Sequence, residues 1–524
     1  MPRNLTPRRT SNALRWAITI VLAAISSGGC SEKLTSVNIP LNSNRIPYEH
    51  RARNATRATT LAGVAPPDAP GTTRVRPPGS GDTTTSASRA DGPDTVPDGF
   101  FVGLALSGGG SRSANFAAAC MFQLERLGLL SRVDYISSVS GGSLTAAYYC
   151  LARDEYWNPA NVQRRLTHAF ANDLILQTLV PWNTLTLWFT DWDRSDVLAD
   201  CFTPVLFSRK GRALSFGDLR RDRPRLLINA TDLQSGRRFI FTDESFNELN
   251  SNLSKYPIAR AVTASAAVPV LMHHVTLRDF STNFRQYRHL IDGGITDNLG
   301  VQTLAETYSS QIESAAREGR PDPYPHGAVL IVLDARSQFD ALLSDKGDMG
   351  FIEGLATGAG LTSTALLNRA STATLSELVV RNAADDISAK ELRAQIEGLE
   401  KGGSLTLRGR NGKPVRVIHL ALSHLDDLST LPFHSFRERV STIGTYFNIS
   451  ATEAFNLYQA AELLVHERFE GELTELEAAI REGRTPERAT QPATQPATQS
   501  ATQSGTGPTL RSTAGPATRG STFR

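Results

Sequence analysis

The stretch that decides the fold begins at residue 101 and reads FVGLALSGGGSR (101–112), and a similar stretch, VDYISSVSGGS (133–143), follows it. Each stretch is an apolar run that ends in a loop of small residues and leads into a helical pattern. The first helical pattern runs from Ala114 to Leu129, and the second begins at Gly142. Two such units in succession predict a βαβα start, because neighbouring parallel strands need a crossover that a helix supplies.

Later apolar runs have the length and composition of buried strands. They are Arg225–Ala230, Arg238–Thr242, His289–Asp292, Gly327–Asp334 and Val415–Leu422. Helical patterns separate them, among them Tyr256–Ala267 and Gln302–Arg317. This alternation predicts an α/β fold, a three-layer α/β/α sandwich with a mostly parallel central sheet. Ligand sites in such sheets lie at the carboxyl ends of the strands.

The composition excludes several classes of protein. The chain has 524 residues, of which 40% are hydrophobic and 20% charged, so it is neither wholly disordered nor a multi-span membrane protein. Its 55 basic and 52 acidic residues nearly balance, which predicts no nucleic-acid partner. The four cysteines form no C-x-x-C pair, and no His, Cys, Asp or Glu cluster has the spacing of metal ligands. We therefore expect no metal site, and nothing in the sequence implies an organic cofactor.

The first thirty residues have the pattern of an export signal. Four arginines precede the apolar run 16–25, which is too short to span a bilayer core of about 30 Å as a helix. The next residues, SSGGC (26–30), resemble the lipobox of bacterial lipoproteins, in which the cysteine is acylated. This resemblance implies lipidation of Cys30 and attachment to a membrane of the cell envelope. The alternative is an ordinary secretory signal, which would leave the protein secreted or periplasmic.

Composition divides the rest of the chain into three parts. Residues 31–97 are rich in Pro, Thr, Arg, Ser and Gly, and residues 483–524 carry Ala-Thr-Gln-Pro repeats. Neither segment has enough apolar residues to offset the entropy of ordering, so we predict a disordered tether and a disordered tail. Residues 98–482 between them form the predicted folded domain.

The second loop carries the strongest candidate for a nucleophile. A serine in a sharp turn between a strand and a helix needs small residues two positions before and after it. Ser138 and Gly142 flank Ser140 at that spacing, with Ser138 in place of the first glycine of the usual G-x-S-x-G. The positive end of the following helix favours negative charge near the serine. The alternative is that Ser140 only caps this helix.

Two glycine-containing loops supply the partners that such a serine needs. The consecutive glycines Gly108, Gly109 and Gly110 let backbone N–H groups approach an oxyanion closely, which predicts an oxyanion hole. No Gly-Lys-Ser/Thr follows them, so a Walker A phosphate loop is excluded. Asp292 ends a predicted strand beside two glycines and is the best candidate for the base, although it could instead cap a turn.

Together the three loops resemble the patatin-like phospholipase family. The resemblance rests on GGGSR (108–112), Ser140 and DGG (292–294) in this order, supported by NATDL (229–233) and AVTASAAVP (261–269). It covers a motif core of residues 101–301, which leaves residues 302–482 as a C-terminal α/β extension.

The resemblance implies a lipid acyl hydrolase of the phospholipase A or lysophospholipase type. Ser140 would be the nucleophile, Asp292 the base, and the amides of Gly109 and Gly110 the oxyanion hole, with Arg112 supporting that loop. The implied partners are a phospholipid or another acyl-ester lipid and a membrane surface.

Two other functions remain open at this stage. The chain order Ser140, Asp334, His419 suits the triad of an α/β-hydrolase-type esterase, although that triad explains neither the glycine triplet nor the Asp292 loop. A non-catalytic envelope lipoprotein could instead use the same fold to bind lipid.

An apolar segment rich in tryptophan, LILQTLVPWNTLTLWFTDW (174–192), is a candidate for a lipid-facing lid or an acyl-chain pocket. Three of the five tryptophans of the chain lie in it. The alternative is a pair of buried helices that completes the core.

Overall fold

The computed structural model describes residues 38–41, 99–180, 193–336, 369–381 and 388–484, apart from 270, 285, 402, 410, 429–433 and 446. The predicted signal peptide with Cys30, most of the predicted tether, the predicted tail and the three tryptophans of segment 174–192 lie outside the described residues.

The strands of the described residues form one large sheet and one small hairpin. The large sheet contains β1 (Phe100–Leu106), β2 (Tyr135–Val139), β5 (Arg225–Asp232), β6 (Arg237–Ile240), β7 (Val275–Asp279), β8 (Gln286–Asp292), β9 (Gly327–Asp334), β10 (Ser404–Arg408) and β11 (Pro414–Ala421). Its order is β10-β11-β9-β1-β2-β5-β8-β7, with β6 also paired to β5. The hairpin consists of β3 (Ser208–Arg209) and β4 (Arg212–Ala213).

The centre of the large sheet is parallel and its margins are antiparallel. Strands β11, β9, β1, β2 and β5 run in one direction, whereas β10, β6, β8 and β7 pair with their neighbours in antiparallel fashion. Every residue of β9 is buried, as expected for a central parallel strand covered on both faces. Strands β7 and β10, each of five residues, were not predicted.

Helices cover both faces of the sheet. They are α1 (Gly110–Arg126), α2 (Gly141–Leu151), α3 (Pro159–Leu166), α4 (Phe170–Leu179), α5 (Arg194–Leu206), α6 (Asp243–Glu248), α7 (Ile258–Ser265), α8 (Gly294–Asp297), α9 (Val301–Arg317), α10 (Ala389–Glu400), α11 (His434–Ser441), α12 (Ala451–Leu464) and α13 (Glu470–Glu482). Residues 369–381 are also helical.

Two hydrophobic cores lie on opposite faces of the sheet. Val102 and Leu104 of β1 pack in one core with residues of α1 and α2, and Phe101 and Ala105 pack in the other with residues of α9. Because successive side chains of a strand point to opposite faces, this division shows a layer of helices on each side. The three-layer α/β/α fold is therefore confirmed.

A short piece of the predicted tether lies against the folded domain. The Asn38 side chain bonds to the carbonyl of Arg278 (2.7 Å) and to Ser251 Oγ (3.2 Å). The Leu41 amide donates to the carbonyl of Asn250 at 2.9 Å. Nothing in the composition of residues 31–97 predicted these contacts.

Candidate active site

Ser140 occupies the sharp turn between β2 and α2. Its backbone has φ 48° and ψ −120°, a strained conformation for a residue with a side chain. The two glycines that follow allow this turn to pack against other backbone. A Cβ on Gly141 would lie 2.0 Å from the carbonyl oxygen of Gly110, and one on Gly142 would lie 2.7 Å from that of Ser107. The nucleophile turn and the glycine loop therefore touch backbone to backbone.

Asp292 reaches the same level of the sheet from the opposite direction. Val139 pairs with Asn229 of β5, and the next residue of β5, Ala230, pairs with Asp292 of β8. Because β8 runs antiparallel to β5, its last residue lies level with Ser140, which directly follows the carboxyl end of β2. The Asp292 loop therefore follows an antiparallel strand, whereas the glycine loop and the Ser140 turn follow parallel strands.

The Asp292 carboxyl group is buried and only partly hydrogen-bonded. Its Oδ1 accepts the Gly294 amide at 2.7 Å, whereas Oδ2 has no hydrogen-bond partner of regular geometry among the described residues. Burial raises the pKa of Asp292 to about 6, against smaller lowering effects of the Gly294 amide and the Ser140 hydroxyl. The Ser140 hydroxyl is thus close enough to influence a carboxylate oxygen that is free to take a proton.

The glycine loop presents two amides rather than three. Gly109 and Gly110 have φ of 135° and 58°, and neither amide has a partner among the residues that the structure describes. The Gly108 amide donates to the carbonyl of Asn298 at 2.9 Å. Gly108 is therefore not a free oxyanion donor, which corrects its prediction. Glycine is needed at position 108 because the loop lies close to Asn298, and a Cβ there would lie 2.4 Å from Asn298 Oδ1.

Contacts from β9 and α1 hold this loop in place. The Ser107 amide donates to the carbonyl of Leu333 (3.0 Å), and the Ala335 amide donates to Ser107 Oγ (2.9 Å). Arg112 is buried in the first turn of α1, and its guanidinium donates to the carbonyl of Ile443 at 2.9 Å. Burial lowers the pKa of Arg112 to about 10, and Asp334 opposes this effect. Arg112 thus ties the start of α1 to the C-terminal part of the domain.

The alternative triad of Ser140, Asp334 and His419 is wrong. His419 Nε2 does lie 3.0 Å from Asp334 Oδ2, but its Nδ1 contacts the carbonyl of Leu399 at 2.9 Å. Strands β9 and β1 separate β11, which carries His419, from β2. At about 4.8 Å per strand, His419 is about 14 Å from the nucleophile turn and cannot accept its proton.

The predictions missed two buried polar residues at the site. Asn229 donates to Ser137 Oγ (2.9 Å) and to the carbonyl of Ser138 (3.0 Å), which fixes β5 against β2. Ser265, at the end of α7, accepts the Ser140 amide at 2.8 Å. A polar residue inside an apolar strand, and a serine inside an alanine-rich helix, were the available signals.

Helix α4 and Val180 contain the described part of the candidate lid, residues 174–180. Residues Ile175, Leu176 and Leu179 of α4 are exposed, and the tryptophans that follow lie outside the described residues.

The three cysteines other than Cys30, namely Cys120, Cys150 and Cys201, are buried.

Neither a metal cluster nor a membrane span is found in the described part of the chain. No group of three or more His, Cys, Asp or Glu residues there could hold a metal ion. None of its helices is both long and apolar enough to cross a bilayer.

Comparison with known proteins identifies the domain. The solved structure of human GIVD cytosolic phospholipase A2 is 13% identical, with a TM-score of 0.41, and the match covers 73% of this chain and 61% of that one. The chain thus spans about three fifths of that protein. VipD from Legionella pneumophila is also 13% identical, with a TM-score of 0.26 and coverage of 73% and 72%. No curated protein matches. The model of the family Patatin-like phospholipase matches residues 104–305, and the chain therefore carries a patatin-like phospholipase domain.

Proposed function

We propose that the protein is a lipid acyl hydrolase of the phospholipase A or lysophospholipase type. One observation carries the proposal: the strained Ser140 turn lies level with Asp292, whose Oδ2 is buried and without a regular hydrogen bond in the described structure. The patatin-like domain supports a fatty acyl ester of a phospholipid or a related lipid as the substrate.

In the first half-reaction Ser140 Oγ attacks the ester carbonyl carbon while its proton passes to Asp292 Oδ2. The carbonyl oxygen becomes an oxyanion, for which the amides of Gly109 and Gly110 are the available donors. Collapse of this intermediate breaks the bond to the alcohol oxygen, which takes the proton from Asp292. The acyl group remains on Ser140.

Water completes the reaction in the second half. Asp292 takes a proton from the water as its oxygen attacks the acyl carbonyl carbon, and the same two amides stabilise the second oxyanion. The bond to Ser140 Oγ then breaks, and the proton on Asp292 returns to that oxygen. A free fatty acid leaves. Buried Asp292 suits this role, because a pKa near 6 makes it a stronger base than an ordinary aspartate while it stays ionised at neutral pH.

The direct test is fatty acid release from phospholipid by the purified full-length chain, together with labelling by a serine-directed fluorophosphonate. Ser140→Ala removes the attacking oxygen, so both signals should disappear. Ser195→Ala, which removes another buried hydroxyl, one bonded to the carbonyl of His273, should retain both. A wild-type chain that gives neither product nor label would favour the non-catalytic lipid-binding lipoprotein.

A separate substitution tests the oxyanion hole. Gly109→Ala places a Cβ where φ is 135° and distorts the donors aimed at the oxyanion. We expect kcat to fall by about 10²-fold without a comparable loss of stability. Equal damage to folding and rate would indicate a merely structural turn.

For localisation we propose export and lipid anchoring through Cys30, on the sequence pattern alone. Several acyl chains on one cysteine attach a protein stably, because each buried CH₂ contributes about 0.8 kcal/mol. Cys30→Ala should block palmitate incorporation and release the protein from membranes. If the variant fractionates like the wild type and the wild type takes up no palmitate, a plain secretory signal replaces the anchor.

A further inference from the structure

A row of buried serine hydroxyls ends at the backbone of the nucleophile. The Ser140 amide donates to Ser265 Oγ at 2.8 Å, and Ser265 Oγ lies 3.1 Å from Ser143 Oγ. Ser143 Oγ in turn donates to Ser138 Oγ at 3.1 Å. Ser138, Ser143 and Ser265 are fully buried, so no bulk water competes for these bonds. We call these three side chains the hydroxyl row.

The number of protons on these three hydroxyl groups fixes which group donates and which accepts in each hydrogen bond of the hydroxyl row. Each hydroxyl has one proton to donate. The Ser138 proton points to the carbonyl of Leu227 at 3.5 Å, and the Ser143 proton goes to Ser138. The contact between Ser143 and Ser265 must therefore use the Ser265 proton. Ser265 Oγ then presents only lone pairs to the Ser140 amide, which makes it a fixed acceptor.

The backbone of the same helix end holds the base. The carbonyl of Ser265 accepts the Gly293 amide at 3.1 Å, and the carbonyl of Ala267 accepts the Asp292 amide at 2.9 Å. The end of α7 thus bonds to the nucleophile turn through a side chain and to the base loop through its main chain. A shift of Ser265 would change the separation of Ser140 and Asp292.

We propose that Ser265 is a positioning residue for acyl transfer, which holds Ser140 in its strained turn at a set distance from Asp292, and that Ser138 orients it through the hydroxyl row. The inference rests on the proposed function and adds residues to it. It also gives a role to Ser138, which stands where the G-x-S-x-G pattern has glycine. A backbone with φ 48° persists only where its surroundings hold it, and the Ser265 acceptor is one such restraint.

The test compares kcat and KM of four variants on a soluble neutral ester, per mole of folded protein. Ser265→Ala should lower kcat by about 10- to 100-fold with KM unchanged, because misplacement of a reacting group acts on the chemical step. Ser138→Ala should lower kcat less. The double variant should match Ser265→Ala alone, because Ser138 acts through Ser265. Thr145→Val, which removes a buried α2 hydroxyl bonded to the carbonyl of Ala114 (2.6 Å), is the control and should keep wild-type kcat.

Hydrogen exchange measured by mass spectrometry supplies a readout that does not need turnover. Peptides covering residues 135–151 should exchange faster in Ser265→Ala than in the wild type and in Thr145→Val, because the Ser140 amide loses its acceptor. Unchanged exchange, or unchanged kcat in an active enzyme, would overturn the positioning role. Additive effects of Ser138→Ala and Ser265→Ala would overturn the directed row. A wild-type protein that neither turns over substrate nor reacts with fluorophosphonate would instead overturn the proposed function.

Discussion

Asp292 and Asp334 lie at the ends of two strands of the same sheet, β8 and β9, which β1, β2 and β5 separate, and burial affects the pKa of the two carboxyl groups with opposite outcomes. Both are the last residue of a strand, and both are buried. Burial alone raises the pKa of either group. For Asp334, the charges of Arg336 and His419 outweigh burial and hold its pKa well below the ordinary value. For Asp292, only the Gly294 amide and the Ser140 hydroxyl oppose burial, and its pKa stays raised, at about 6.

The hydrogen-bond partners explain this difference. Asp334 Oδ2 contacts His419 Nε2 and the Arg336 guanidinium, and Oδ1 accepts the Arg336 amide. The two ring nitrogens of His419 face Asp334 Oδ2 and the carbonyl of Leu399. A buried aspartate that is paired with an arginine is held as a structural anion, whereas a buried aspartate without a cationic partner keeps an oxygen available as a base.

The largest expected effect is on turnover. Asp292→Asn should lower kcat by about 10²- to 10⁴-fold, because general-base catalysis contributes an effect of that size. Asp334→Asn should leave kcat within a few-fold of the wild type, per mole of folded protein. Steady-state assays on one soluble ester, with the folded fraction determined by circular dichroism, measure both. Equal losses in the two variants would remove the functional distinction between the aspartates.

The same two substitutions should affect stability in the reverse order, with the larger loss in Asp334→Asn. Asp334→Asn leaves the half-buried Arg336 without its counter-charge and the buried His419 without its carboxylate partner, and breaking a buried pair of this kind costs about 3–5 kcal/mol in the free energy of unfolding. The measurement is urea unfolding at pH 7. Glu318→Gln, which breaks an exposed ion pair with Arg320 (2.8 Å), is the control and should change stability by at most about 1 kcal/mol. A loss of that small size for Asp334→Asn would show that the buried network contributes little.

Local patterns in the sequence predicted the first half of the site well. Strand β9 has the predicted bounds, Gly327–Asp334, because an apolar run between turns is a local signal. The Ser140 turn likewise follows from small residues at fixed spacings. Both features depend on a few consecutive residues.

Pairings between distant segments were not predictable in the same way. Nothing within His289–Asp292 shows that β8 runs antiparallel to β5 and stops level with Ser140, because its register depends on contacts with residues sixty positions away. The same limit hid the bond from Gly108 to Asn298 and the contact of Ser265 with Ser140. It also made the pair of Asp334 and His419 look like part of a triad, since chain order carries no distance.

The third expected effect, smaller than the first two, is that Asp292→Asn increases the free energy of unfolding. In the folded state the pKa of Asp292 is about 6, above the value of about 3.9 in an unfolded chain, so folding favours its protonated form. The wild type should therefore lose stability as the pH rises from about 4 to 6, by at most about 3 kcal/mol. Asp292→Asn stays neutral and should be more stable than the wild type at pH 8 but not at pH 4. Urea unfolding at the two pH values measures this, and a variant less stable at pH 8 would contradict the burial argument.

The smallest effect is the pH dependence of kcat/KM, which reports ionisation of the free enzyme. Because the base must be ionised, kcat/KM on a neutral ester should fall about tenfold per pH unit below about pH 6 and level off above it. In Asp334→Asn the inflection should stay near pH 6, since Asp334 is outside the reacting pair. The residual activity of Asp292→Asn should lack this inflection. A wild-type profile that is flat between pH 5 and 7 would place the proton acceptor elsewhere, and an inflection that moves with Asp334 would mean that the two aspartates do not act separately.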